Sequence, residues 1–125
     1  IGTPRADEMD DLIIMNNPSL KKFLPTLKSG GDLFINETIV TDKICRDDIN
    51  IISIPATEMA MDIGSTKVLN VIMLGAYIGY TRVFPVEVMW ETIEKKLGKK
   101  KKLLPANREA FERGLEAGVR SKGEL

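Results

Sequence analysis

Short runs of consecutive apolar residues alternate along this chain with segments whose apolar positions recur every three or four residues. Leu12-Ile13-Ile14-Met15 is the first run, preceded by Asp7, Glu8, Asp10 and Asp11 and closed by Asn16-Asn17-Pro18. Continuous runs of this kind suit strands buried on both faces of a parallel sheet. Asp32-Leu33-Phe34-Ile35-Asn36 and Asn50-Ile51-Ile52-Ser53-Ile54 are the second and third strand candidates. Between the first two, Leu20, Phe23, Leu24 and Leu27 fall at helical spacing. Asn17 is placed to cap that helix, with Pro18 at its first position. Pro25 shortens or kinks it, and Gly30-Gly31 reads as the turn that ends the segment. Thr38 to Asp48 alternates weakly and fits either a short extra strand or a loop.

The second half reads as helices. Pro55 closes the third strand, and Thr57 is a candidate N-cap for a helix carrying Met59, Ala60 and Ile63, broken at Gly64-Ser65. The strongest helix runs from Lys67 to Tyr80, with Val68, Val71, Ile72, Gly75, Ala76 and Gly79 on one side. Glycine inside a helix costs roughly 1 kcal/mol. Gly75 and Gly79, four apart, therefore predict a second backbone packed closely enough to compensate. Asn70 lies in this apolar helix and is expected to be a buried amide with a partner. Val86 to Leu97 is amphipathic, with a stripe of Val86, Met89, Trp90, Ile93 and Leu97. A last helix runs from about Pro105 to Gly118, with Phe111 and Leu115 on one face. The order of elements predicts an α/β fold: a mostly parallel sheet layered with helices. The whole chain, 1–125, reads as one domain, with 105–125 as its C-terminal helix and tail.

Composition narrows the function. At 125 residues and 43% hydrophobic the chain can bury a core. Lys+Arg and Asp+Glu are both 18, so no global field draws nucleic acid or an anionic membrane, and nothing opposes association with other chains. There is no His, which removes the side chain best suited to proton transfer near neutrality. The single cysteine, Cys45, forms no internal disulfide and no Cys-based metal cluster, and points to a reducing, cytoplasmic compartment. The longest apolar run, Val68 to Tyr80, is shorter than the ~20 residues a membrane span needs. Because the chain opens with Ile1 and not Met, a segment upstream is expected to have been removed or left out.

No catalytic constellation is legible. Gly30-Gly31 stands before a strand and matches neither the dinucleotide fingerprint nor the P-loop. Lys95, Lys96 and Lys99 to Lys102 form a basic cluster that suits a solvated helix end, or a docking patch for an acidic partner or a coenzyme's phosphates. Cys45 has cationic neighbours in Lys43 and Arg46 but no His to complete a nucleophile pair. In open α/β sheets, ligands sit at the carboxyl ends of the strands. The polar residues there, Asn16, Asn17, Asn36, Glu37, Thr57 and Glu58, are the candidates for a crevice or subunit contact, together with Asn70. Asn17 and Thr57 serve equally as plain helix caps.

Two stretches, Ile54-Pro55-Ala56-Thr57-Glu58-Met59-Ala60 and Asn70-Val71-Ile72-Met73-Leu74-Gly75-Ala76, resemble the gamma subunit of the 2-oxoacid:ferredoxin oxidoreductases. Further similarity follows the family's order: Ile1-Gly2-Thr3-Pro4-Arg5, Leu12-Ile13-Ile14-Met15-Asn16-Asn17-Pro18-Ser19-Leu20, Phe84-Pro85-Val86-Glu87, and the closing Asn107-Arg108-Glu109-Ala110-Phe111-Glu112-Arg113-Gly114. The family's opening strand and Gly-Gly-Gln-Gly loop have no counterpart, so the chain resembles the C-terminal two-thirds of that domain. The resemblance implies a largely architectural subunit, inactive alone, in a complex with alpha-, beta- and delta-type subunits. That complex oxidatively decarboxylates a 2-oxoacid to an acyl-coenzyme A and passes electrons to ferredoxin or flavodoxin. It further implies thiamine diphosphate, magnesium, iron–sulfur clusters and coenzyme A, held mainly by the other subunits, with no cofactor expected in this chain. The Ile-Pro-Ala-Thr-Glu form favours the 2-oxoglutarate branch, with pyruvate and other 2-oxoacids sharing the domain. A competing reading is a small coenzyme- or nucleotide-binding α/β module. A stand-alone enzyme built on Cys45 or the carboxylates lacks a partner base.

Overall fold

The computed structural model describes residues 8–97 and 101–123. Ile1-Gly2-Thr3-Pro4-Arg5, Lys99, Lys100 and the last two residues of the tail lie outside them. The chain divides into two compact units, Ile1–Pro55 and Ala56–Leu125.

The first unit holds a three-stranded parallel sheet in the order β1-β2-β3: β1 (Met9–Ile14), β2 (Leu27–Asn36) and β3 (Asn50–Ile54). Ile14 pairs with Ile35, Phe34 with Ile52 and Asn36 with Ile54. β2 is central, and Leu33, Phe34, Ile35 and Asn36 are all buried, as a strand covered on both faces requires. Ile14, Leu33 and Ile35 form one core with Leu20 of α1 (Asn17–Phe23), Leu27 and Val40. A 3-10 turn at Leu24–Thr26, opening on Leu24-Pro25, ends α1 early, because proline cannot continue the hydrogen-bond ladder. The segment from Thr38 to Asp48 is a loop.

Several local expectations change. The cap of α1 is Asn16, not Asn17: Asn16 is extended (φ −151°, ψ 163°) and its Oδ1 accepts from the Ser19 N–H at 2.8 Å. Asn17 is already helical, and its side chain is used elsewhere. Gly30-Gly31 lies within β2 at a register irregularity opposite β1, where the pairing jumps between Met9 and Asp11. Gly30 has φ +84°, and a Cβ on Gly31 would lie 2.8 Å from the Asp10 carbonyl oxygen. The glycines therefore let a bulged strand pass close to its neighbour; they do not end a segment. β1 begins at Met9, upstream of its apolar run, since ladder hydrogen bonds make no demand on side-chain polarity. An ion pair between Asp10 and Lys28 spans that first stretch and raises the Lys28 pKa.

The second unit is helical: α2 (Ala56–Ile63), a 3-10 turn at Thr66–Val68, α3 (Leu69–Thr81), α4 (Val86–Lys96) and α5 (Leu104–Ser121). α2 starts directly at Ala56, so Thr57 lies inside the helix and is not its cap. The break after α2 falls at Gly64, with φ +104°. The 3-10 turn delays α3 by two residues and leaves Asn70 exposed in its first turn, in place of the buried amide expected there.

The core of this unit is the contact between α3 and α5. Cβ atoms on Gly75 would sit 2.5 Å from the Phe111 carbonyl oxygen and on Gly79 against that of Leu115. Reciprocally, Cβ atoms on Gly114 and Gly118 would fall on the carbonyls of Ile72 and Ala76. Two pairs of glycines four residues apart thus face one another, and the helices meet backbone to backbone. Ile72, Ala76, Ala110 and Phe111 are wholly buried. Trp90 of α4 packs on Phe111 with ring centroids 5.8 Å apart, and the Arg108 guanidinium covers Trp90 at 4.9 Å.

Candidate functional site

Asn16, Asn17 and Glu37 belong to the first unit, and Thr57, Glu58 and Asn70 to the second. In the first unit the loops that follow β1 and β2 are brought together, and Asn17 is what joins them. Its Oδ1 accepts from the backbone N–H groups of Thr41 and Asp42, both at 3.0 Å. Its Nδ2 donates to the Ile39 carbonyl and to Thr41 Oγ1, both at 3.4 Å. With Asn16 capping α1, both asparagines are committed to holding backbone in place. Glu37 is exposed, and its N–H donates to the Ile54 carbonyl at 2.9 Å, tying the end of β2 to the end of β3.

The rest of the loop is held by Arg46. Its Nη1 donates to the carbonyls of Leu24 (2.9 Å) and Leu27 (2.6 Å), and its Nε and Nη2 grip Asp48 at 3.0 and 2.8 Å. This grip holds the Asp48 carboxyl below the usual carboxylate range. Cys45 beside it is exposed. Two further polar groups here are buried. Asn36 ends β2, as the strand candidate predicts, and its side chain is buried, only 1% exposed, so it does not line an open crevice. Thr38 Oγ1 is, among the described residues, buried without a protein hydrogen-bond partner.

In the second unit Thr57 is half-buried, while Glu58 and Asn70 are exposed. An apolar concavity of this unit lies elsewhere. A cavity of about 520 Å³ is lined by Ile78, Gly79, Leu115, Val119, the segment Phe84-Pro85-Val86, and Arg82. Val83, Phe84, Val86 and Val88 leave a run of large apolar side chains in solvent. Along the amphipathic stripe of α4, Ile93 is buried, Met89 and Trp90 are half-buried and Val86 is exposed.

An iron–sulfur cluster takes four ligands, typically Cys, and this chain has one Cys and no His. Among the described residues no three His, Cys, Asp or Glu side chains group to hold a metal ion. No described helix is long and apolar enough to cross a membrane.

Comparison with known proteins agrees with the fold. The family model described as pyruvate ferredoxin/flavodoxin oxidoreductase matches residues 1–117. The ketoisovalerate oxidoreductase subunit VorA of Methanothermobacter thermautotrophicus is 30% identical over 128 residues, covering 100% of this chain and 26% of its own. The 2-oxoglutarate synthase subunit KorC of Methanothermobacter marburgensis is 30% identical over 100 residues, covering 75% of this chain and 54% of its own. The chain thus spans about a quarter to a half of these relatives. Among solved structures, the gamma subunit of a keto/oxoacid ferredoxin oxidoreductase from Geobacter sulfurreducens superposes with a TM-score of 0.81 at 24% identity, over 89% of this chain and 64% of that one. The 2-oxoglutarate:ferredoxin oxidoreductase of Magnetococcus marinus gives 0.78 at 20% identity, over 89% of this chain and 20% of that one. At these identities the two structures speak to the fold alone.

Proposed function

The chain belongs to the pyruvate ferredoxin/flavodoxin oxidoreductase family, and from that premise we propose that it is the gamma-type part of a 2-oxoacid:acceptor oxidoreductase. In this reading it works as an architectural subunit, inactive alone, packed against the subunits that bind thiamine diphosphate, magnesium and iron–sulfur clusters. The assembled enzyme oxidatively decarboxylates a 2-oxoacid, transfers the acyl group to coenzyme A and delivers electrons to ferredoxin. The supporting observation is a family match that runs almost end to end, on a chain with no His and one Cys. The polar groups at the strand ends fit this role: Asn16, Asn17 and Arg46 hold backbone and present no acid–base pair.

For the substrate, 2-oxoglutarate is the first reading, on the Ile54-Pro55-Ala56-Thr57-Glu58 segment and the likeness to KorC. A branched-chain 2-oxoacid is the second, because the ketoisovalerate relative aligns with the whole chain at the same identity.

Anaerobic co-purification of the chain with its natural partner subunits, followed by coenzyme A-dependent viologen reduction, tests both. Turnover of 2-oxoglutarate by the complex, and none by the chain alone, is the expected result. Preference for 2-ketoisovalerate would transfer the substrate to the second reading. Turnover by the isolated chain, or saturable coenzyme A binding to it with no partner recovered, would overturn the subunit role.

A further inference from the structure

α4 is held to the helical unit far more lightly than α3 and α5 are held to each other. α3 and α5 meet backbone to backbone and bury Ile72, Met73, Ala76, Ile78, Ala110 and Phe111. Along α4 only Ile93 is buried; Met89 and Trp90 are half-buried and the remaining residues are exposed. Its ties to α5 are the Trp90–Phe111 contact, with ring centroids 5.8 Å apart, and the Arg108 guanidinium over Trp90 at 4.9 Å. Glu87, Glu91, Glu94, Lys95 and Lys96 all lie on α4, yet among the described residues no ion pair joins this helix to the rest of the unit.

Nor does α4 carry its own stability. It is 11 residues long, below the roughly 12–15 residues at which an isolated helix is marginal even with strong helix formers. Val86, Val88, Thr92 and Ile93 are β-branched and lose side-chain freedom in a helix. Its N-cap is Pro85, with no side-chain cap hydrogen bond. The Thr92 hydroxyl donates back to the Val88 carbonyl at 3.0 Å, a bond that slightly destabilises a helix. Glu87 in the first turn and Lys95 and Lys96 in the last favour the helix through its dipole, a weak effect that salt screens. α4 is therefore helical mainly because it docks on α5, and when it leaves α5 its helix goes too.

We propose that α4 is a detachable arm: it opens and recloses as a unit while α3 and α5 stay paired. Openings of this kind occur in elements with few buried apolar contacts, at free energies below that of global unfolding. The close approaches at Gly75, Gly79, Gly114 and Gly118 lie between α3 and α5 alone, so opening leaves them intact. It takes Val86 out of the lining of the apolar cavity and uncovers the side of Phe111 that Trp90 covers. The arm is thus the part of the helical unit that can repack while the core persists, and it does not depend on the subunit reading.

Native-state hydrogen exchange, read by mass spectrometry on the full natural chain, tests the arm. Peptides of α4 should exchange at least about tenfold faster than the slowest of α3 and α5. Trp90→Ala, which removes the main tie to α5, should speed α4 about tenfold further. The deciding variant is Ile72→Val in α3. With separate openings it speeds the slow amides of α3 and α5 by roughly 2–10-fold and leaves α4 unchanged, because the α3–α5 contact persists when the arm opens. Exchange of α4 as slow as the slowest of α3 and α5, or equal acceleration of all three helices by Ile72→Val, would overturn the proposal. So would α4 exchange unmoved by Trp90→Ala. An absence of protection in α3 and α5 would overturn it as well, since that pair must stand while α4 is open.

Discussion

Gly114→Ala is the most direct probe of how the helical unit is held together. The added Cβ would fall on the Ile72 carbonyl oxygen, 2.9 Å from the Ile72 carbonyl carbon and 3.1 Å from the Ala76 nitrogen. All three are backbone atoms of α3, so no side chain can swing aside, and relief requires α3 and α5 to move apart. A gap of 0.5–1 Å forfeits roughly a quarter to a half of each contact's dispersion energy. Overpacking costs about 1–3 kcal/mol, with this site in the upper half because the obstacle is rigid. Alanine returns about 1 kcal/mol of helix propensity. The net expectation is a loss of about 1–2 kcal/mol, a fall in Tm of roughly 5–10 °C for a domain of this size. Thermal unfolding followed by circular dichroism measures it. Gly75→Ala should act similarly, and the double variant should lose less than the sum, because one separation relieves both clashes. A Tm at or above that of the parent would refute the backbone-on-backbone contact.

Asn17→Ala removes the tie between the loop and α1. It should cost about 1–2 kcal/mol and speed proteolytic cleavage within residues 38–48; Asn17→Asp, which keeps the acceptor for Thr41 and Asp42, should restore part of the loss. The hydrogen bond from Arg46 depresses the Asp48 pKa. That contribution to stability is therefore complete above the ordinary carboxylate range, near pH ~4, and is lost as pH falls through the lowered value. Asp48→Asn should flatten the acid limb of a Tm-against-pH profile, and an unchanged limb would count against the pair. Arg82→Gly relieves a left-handed backbone at φ +53° and should leave the unfolding free energy within about 1 kcal/mol of the parent, as read from denaturant unfolding. Cys45→Ser, at an exposed position, should change neither Tm nor the activity of an assembled complex, and loss of activity would assign the thiol a role.

What was legible in the sequence follows from which forces act locally. Leu33-Phe34-Ile35 and Ile51-Ile52 are readable as strands because continuous apolar runs between turn formers have few other solutions. Gly75 and Gly79 are readable as a contact because their propensity cost needs an explanation. Gly114 and Gly118, equally spaced, escaped notice since α5 is mostly polar and its apolar face is narrow. Asn16 and Asn17 both satisfy a cap motif, and only the backbone angle at Asn16 and the reach of Asn17 to Thr41 and Asp42 separate them. Asn70 follows from the 3-10 turn before it, a shift of phase that composition does not announce. The stripe Val86, Met89, Trp90, Ile93, Leu97 shows what periodicity leaves open: α4 forms, with Ile93 buried and Trp90 on Phe111, while Val86 stays in solvent. Periodicity reports that a face is apolar; it does not report what covers it. A protein interface obeys the same burial chemistry as a core and carries the same pattern, with aromatic residues and arginine enriched at its centre. Phe84 and Val86 line an apolar cavity at the start of that stripe and remain in solvent, so at this end of α4 the sequence pattern of a core lies on exposed surface.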